Sequence, residues 1–168
     1  MVNIRRLGKH LLATRGPLKK AFPARVQHAI ERAIKAGEAT HRGQIRFVVE
    51  GALDGAPLFR EQSGRERALD LFSHLRIWDT EENNGVLIYL LYADHLVEII
   101  ADRGINAHVG AAEWQAICAK MESAYRRGAF EEGTLEGIAA ISAHLARHFP
   151  ASGRGVNELP DAPVVIVH

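Results

Sequence analysis

The 168-residue chain has one cysteine, two methionines and two tryptophans, and aromatic residues make up only 7% of it. A single thiol, Cys118, excludes an internal disulfide and a thiolate metal cluster. Such usage suits a reducing compartment, and the chain reads as cytoplasmic. No apolar stretch follows the basic N-terminus, so no signal peptide is legible. The longest apolar run, Gly85 to Ala93, falls far short of the ~20 residues a spanning helix needs. A net charge of +1 supplies no global field for nucleic acid. The sequence has no G-x-G-x-x-G, no G-x-x-x-x-G-K-[ST] and no G-x-S-x-G, which argues against dinucleotide, P-loop and nucleophile-elbow sites. No acidic residue precedes Glu31.

What the chain does contain is an ordinary globular balance, 47% hydrophobic and 24% charged, with length enough for one domain and one core. Residues 1 to 23 form a basic arm carrying Arg5, Arg6, Lys9, Arg15, Lys19 and Lys20. Leu7, Leu11 and Leu12 sit among these charges at roughly helical spacing. The arm reads either as a solvated extension or as a basic amphipathic segment that meets an anionic membrane surface or a membrane-associated protein partner. Gly16-Pro17 and Pro23 separate it from a body spanning residues 24 to 150.

The body is organised around residues 83 to 105. Val86 to Tyr92 is unbroken and apolar, the pattern of a strand with neither face in water. Ala93-Asp94-His95 is a short polar turn, and Leu96 to Asp102 returns antiparallel. A helix is expected over Ala24 to Thr40 and a strand over Gln44 to Gly51, with Ile45, Phe47 and Val49 on one side. Asp54-Gly55-Ala56-Pro57 reads as a loop. Ser63 with Glu66 is a capping-box pattern that opens a second helix. Arg103 to Ala112 reads as a loop, followed by helical stripes at Trp114 to Tyr125 and Leu135 to Phe149. The tail, residues 151 to 168, ends in Val164 to Val167, a short strand for a sheet edge. A strand–helix–strand unit crosses over right-handedly into parallel pairing. The expected fold is therefore α/β, a three-layer α/β/α sandwich with a mixed central sheet.

That topology gathers polar segments at one rim. Asp102, Asp79, Glu81, Glu82, Asn83 and Asn84 form the richest oxygen cluster, with Gln44 at the same edge as a neutral oxygen. Hard divalent cations such as calcium take six to eight oxygen ligands from loops of this kind. Asp102, Asp79, Glu82, Asn84 and Gln44 are therefore candidate metal ligands, and the alternative is that Asp102 caps the Arg103-Gly104 turn while the others are solvated. His41, at the same rim, is the weak candidate for an acid or base, and no catalytic residue is otherwise identified. His144 and His148 lie four apart on one helix without the H-E-x-x-H glutamate, and read as surface residues. Cys118 shares an apolar face with Ile117 and Met121, so it reads as a buried inert thiol. Trp114 reads as a core residue or as a pocket wall.

Three blocks together carry a resemblance: His41-Arg42-Gly43-Gln44-Ile45-Arg46-Phe47, Asn84-Gly85-Val86-Leu87-Ile88-Tyr89 and Ala101-Asp102-Arg103-Gly104-Ile105. With Trp114, Gly128-x-Phe130-x-x-Gly133, Gly137-Ile138 and Asn157-Glu158-Leu159-Pro160, they resemble the TPM domain, also called the TPM phosphatase domain, in its soluble bacterial branch. The resemblance spans about residues 24 to 167. It implies an α/β/α sandwich and, in some members, divalent-metal binding, commonly of calcium. It also implies acid phosphatase activity in a plant branch and a link to membrane-protein assembly or repair in others. Gln44 stands where members often have glutamate. The sequence thus leads to a calcium-type binding accessory or interaction module. A metal-dependent phosphatase acting on phosphomonoesters, with His41 as proton donor, is the alternative, and docking to a membrane through the basic arm is a third.

Overall fold

The first strand has two charged residues in it, Arg46 and Glu50, and yet no exposed position: all seven residues of Gln44–Glu50 are buried. A strand so placed must be covered on both faces, and the computed structural model, which describes residues 15–53, 62–153 and 156–168, shows how. The elements are α1 (Arg15–Ala21), α2 (Ala24–Glu38), β1 (Gln44–Glu50), α3 (Gly64–His74), β2 (Gly85–Leu91), β3 (Leu96–Ala101), α4 (Arg103–Asn106), α5 (Ala111–Arg126), α6 (Phe130–His148) and β4 (Val164–Ile166). The expected loop at Asp54 to Pro57 and the leucines at 7, 11 and 12 lie outside the described residues.

The sheet order is β3-β2-β1-β4. β1 is parallel to both β2 and β4, and β2 is antiparallel to β3, so the sheet is mixed. Ile45, Phe47, Val49, Val86, Ile88 and Leu90 face one layer, built from α1, α2, α5 and α6. Val48, Leu87, Tyr89 and Leu91 face the other, where Ala68 and Leu71 of α3 are joined by Ile77 and Leu159. Alternate residues point to opposite faces of a strand; β2 is apolar on both faces, whereas β1 is apolar toward the first layer and sets Gln44, Arg46, Val48 and Glu50 toward the second. This is the α/β/α sandwich that the pattern of the chain predicts.

The local devices are those the sequence advertises. Ser63 accepts a hydrogen bond from the Glu66 N–H, and Glu66 reaches back to the Ser63 N–H at 2.8 Å, which closes the capping box of α3. The hairpin turns through a 3₁₀ segment, Tyr92–Asp94, and His95 completes it in the left-handed region at φ 50°. Two differences stand out. Arg103 to Ala112 is not all loop, because Asp102 accepts the Arg103 N–H at 2.7 Å and starts the short α4. Packing also begins before residue 24: Leu18 and Phe22 are buried in the larger core. Among the described residues no helix is long and apolar enough to cross a membrane.

Candidate functional site

Register fixes the rim. Gln44 opposes Gly85 where β1 and β2 begin, and Val86 opposes Ala101 where β3 ends. The Gln44 N–H donates to the Asn84 carbonyl at 3.3 Å, and the Asp102 N–H donates to the Gly85 carbonyl at 2.9 Å. The three segments that hold Gln44, Asn84 and Asp102 are therefore side by side. Gly104 is needed for this closeness. Its N–H donates to the Asn83 carbonyl at 2.8 Å, and a Cβ there would land on the carbonyl oxygens of Glu82 and Asn83. Asn83 itself holds a left-handed φ of 52°, which asparagine tolerates better than most residues.

The side chains of the rim divide into engaged and open groups. Glu82 is engaged: Arg42 donates to its carboxylate through Nε at 2.7 Å and Nη2 at 2.8 Å. The Arg42 guanidinium holds that carboxyl below the usual range. Gln44 is engaged as well, since its Oε1 accepts the N–H groups of Glu158 at 3.0 Å and Leu159 at 2.9 Å. Asp79 is exposed, 4.0 Å from the Arg76 guanidinium. Asn84 and Asp102 differ from all three. Asn84 is fully buried; its Nδ2 donates to the Arg42 carbonyl at 3.2 Å, but its Oδ1 is buried with no partner. Asp102 uses Oδ1 on the Arg103 N–H, and its Oδ2 is likewise buried without a partner. A buried acceptor left unmatched costs about 1–3 kcal/mol, so two on one rim call for an explanation.

His41 lies behind this rim, only 3% exposed. Its Nδ1 is 3.1 Å from the Gly43 carbonyl, and its Nε2 has no partner. Burial pushes its pKa below the ordinary histidine value, and the Gly43 contact offsets part of that. An imidazole so held is neutral near pH 7, with the proton on Nδ1 and an acceptor at Nε2. Among the described residues no three His, Cys, Asp or Glu side chains are grouped closely enough to hold a metal ion. A cation at the rim would therefore rest on Asn84 and Asp102, with Glu82 joining only after release from Arg42.

A sequence model of the TPM domain matches residues 19–144, three-quarters of the chain. The chain belongs to the TPM domain family. Its fold is also similar to the NMR structure of BA42 from the psychrophilic bacterium Bizionia argentinensis, at 30% sequence identity and a TM-score of 0.74 over 84% of this chain and 93% of that one. No curated protein matches the sequence.

Elsewhere the TPM domain holds features that the sequence reading overlooked. At the other end of the sheet, a groove of about 1050 Å³ runs past Pro17, Lys20, Tyr92, Phe130, Glu131 and Leu135. On the α3 side, the buried Glu50 carboxylate takes two bonds of 2.9 Å from Arg67, the Tyr89 hydroxyl at 2.6 Å and a His168 contact at 2.8 Å. A signal for this cluster existed, because an acid inside an otherwise buried strand needs a cation and donors. Its partners gave none, as they lie 17, 39 and 118 residues away. The remaining candidates are ordinary. His148 stacks on His108 with centroids 4.8 Å apart, and His144 tilts against Trp114 at 5.7 Å. Burial pushes the Cys118 thiol up to about 12, which keeps it protonated and unreactive.

Proposed function

We propose that this TPM domain is an accessory or interaction module that takes a divalent cation of the calcium type, weakly, at the rim where β1 and β2 begin and β3 ends. The observation that supports the reading is the pair of buried, unpartnered oxygens, Asn84 Oδ1 and Asp102 Oδ2. Oxygen acceptors without donors suit a hard cation, which needs nothing but lone pairs. Asn84 and Asp102 would hold the ion, and water would complete its shell. Two side-chain oxygens against the six to eight that calcium prefers make the site weak. The bound ion would supply positive charge at a rim where Glu82 is already neutralised by Arg42. His41, neutral and with an open acceptor, is better suited to receive a proton than to donate one.

Binding to the native state alone raises stability by mass action, about 2.7 kcal/mol at a hundredfold excess over the dissociation constant. Calcium at millimolar concentration is expected to raise Tm and to shift the backbone amides of residues 83–85 and 102–105. Asp102→Asn keeps a capping oxygen for Arg103 and removes one charge, so it should retain the fold and lose most of the shift. Amide positions unchanged throughout a calcium titration would remove the cation from the reading.

A further inference from the structure

The groove at the far end of the sheet has an apolar floor that the described residues cover only in part. Tyr92, Phe130 and Leu135 line it, and each packs against the larger core on one side while part of its surface stays open. Phe130 is held from beneath, stacked on the buried Tyr125 with ring centroids 5.4 Å apart. The volume of about 1050 Å³ has room for several side chains at once.

The lips add a charge pattern. Arg25 is already used, 2.5 Å from Glu131. Glu132 and Glu136 stand one turn apart on α6, both exposed, and among the described residues neither meets a cation. A complementary occupant therefore presents an apolar face to the floor and positive charge to α6.

One segment of the chain has that chemistry and starts from the mouth of the groove. α1 begins at Arg15, and Gly16 and Pro17 belong to the lining. Residues 1–14 hold Arg5, Arg6 and Lys9 and no acidic group. Ile4, Leu7 and Leu11 recur at intervals of three and four, so a helix would carry them on one face and the cations off it. Anchors at i, i+3 and i+7 are how an amphipathic helix fills an apolar groove. Pro17 lies in the first turn of α1, where its missing N–H costs nothing and ties the helix to no earlier residue, so the chain can change direction just before Arg15. The tether is covalent and short, and effective concentrations on such tethers reach about the millimolar range, so even a weak contact is populated.

We propose that residues 1–14 dock in this groove, with Ile4, Leu7 and Leu11 on the floor of Tyr92, Phe130 and Leu135 and the basic side chains beside Glu132 and Glu136. The contact uses neither Asn84 nor Asp102, so it and the cation reading fail separately.

A nitroxide attached through Asn3→Cys, in a Cys118→Ala background, reads the docking in the full-length chain. The amides of residues 128–136 are expected to broaden, and those of residues 83–85 at the rim to keep their intensity. Leu7→Ser with Leu11→Ser removes two anchors that belong to neither core, so the fold should persist and the broadening at 128–136 should be lost. Glu132→Lys with Glu136→Lys should weaken it, and Arg5→Glu with Arg6→Glu added should restore it. Broadening equal in the parent chain and the leucine variant would overturn the proposal, because a segment merely tethered nearby gives that result. Its absence would overturn it too and leave the groove to another molecule. So would equal broadening when the nitroxide is on one chain and the isotope label on another, since the occupant would then be a second copy.

Discussion

Glu50 is the residue with the most at stake. Its carboxylate is 1% exposed and carries charge on a buried face of β1. Burial alone would push its pKa up, but the hydrogen bonds from Arg67, His168 and Tyr89 outweigh it and leave the value lowered. A depressed carboxylate contributes stability that is present above its unfolded value and lost as pH falls through the folded one. The protein should therefore lose stability on acidification below about 4.5, a loss that Glu50→Gln should reduce in a pH series of urea melts. Removing the cation instead leaves the charge stranded. Arg67→Met is expected to destabilise by about 3–5 kcal/mol at pH 7. Equal melting midpoints for Arg67→Met and the parent protein would show that the charge finds another partner.

At the scale of elements, the hairpin and the capped helix are where sequence and structure agree most closely. The unbroken run at Val86 to Tyr92 lacks any alternation, and a strand covered on both sides is the reading that such a run supports. Ser63 and Glu66 behave as their spacing predicts, and Ser63→Ala should cost about 1 kcal/mol in chemical denaturation. Gly104 was legible only as part of a motif. Its reason is spatial, since a methyl group would strike the carbonyls of Glu82 and Asn83. Gly104→Ala should therefore destabilise by about 1–3 kcal/mol and disturb the amides of residues 83 and 84. An unperturbed spectrum would mean that the rim yields more easily than its contacts suggest.

Backbone proximity at the rim could be reasoned out, because a right-handed crossover and a tight hairpin leave few choices. The engagement of the rim's side chains could not. Glu82 meets Arg42 across 40 positions and Gln44 meets Glu158 across 114, and no local pattern encodes such meetings. The short helix after Asp102 escaped for a related reason, since one turn is too brief to show a period.

For the molecule as a whole, the two ends of the sheet have different characters. The rim is built from backbone turns, an ion pair and two open oxygens. The far end is a groove whose aromatic floor joins Phe130 to Tyr92 at 5.4 Å, and Phe130 packs in turn on the buried Phe22 at 5.7 Å. Its lips carry Lys20 and Arg25 on one side and Glu131, Glu132 and Glu136 on the other. Arg25 and Glu131 already meet across it at 2.5 Å.

The order β3-β2-β1-β4 also has a history written into it. On the ribosome, β1 finds β2 once the first hundred or so residues have emerged, but its other flank waits for β4 at Val164–Ile166. Through most of synthesis a hydrophobic strand is thus flanked on one side by nothing but solvent or a chaperone. Nascent chains stalled short of residue 164 should be captured by holdases and cleaved readily, and the released 168-residue chain, with β4 in place, should escape both.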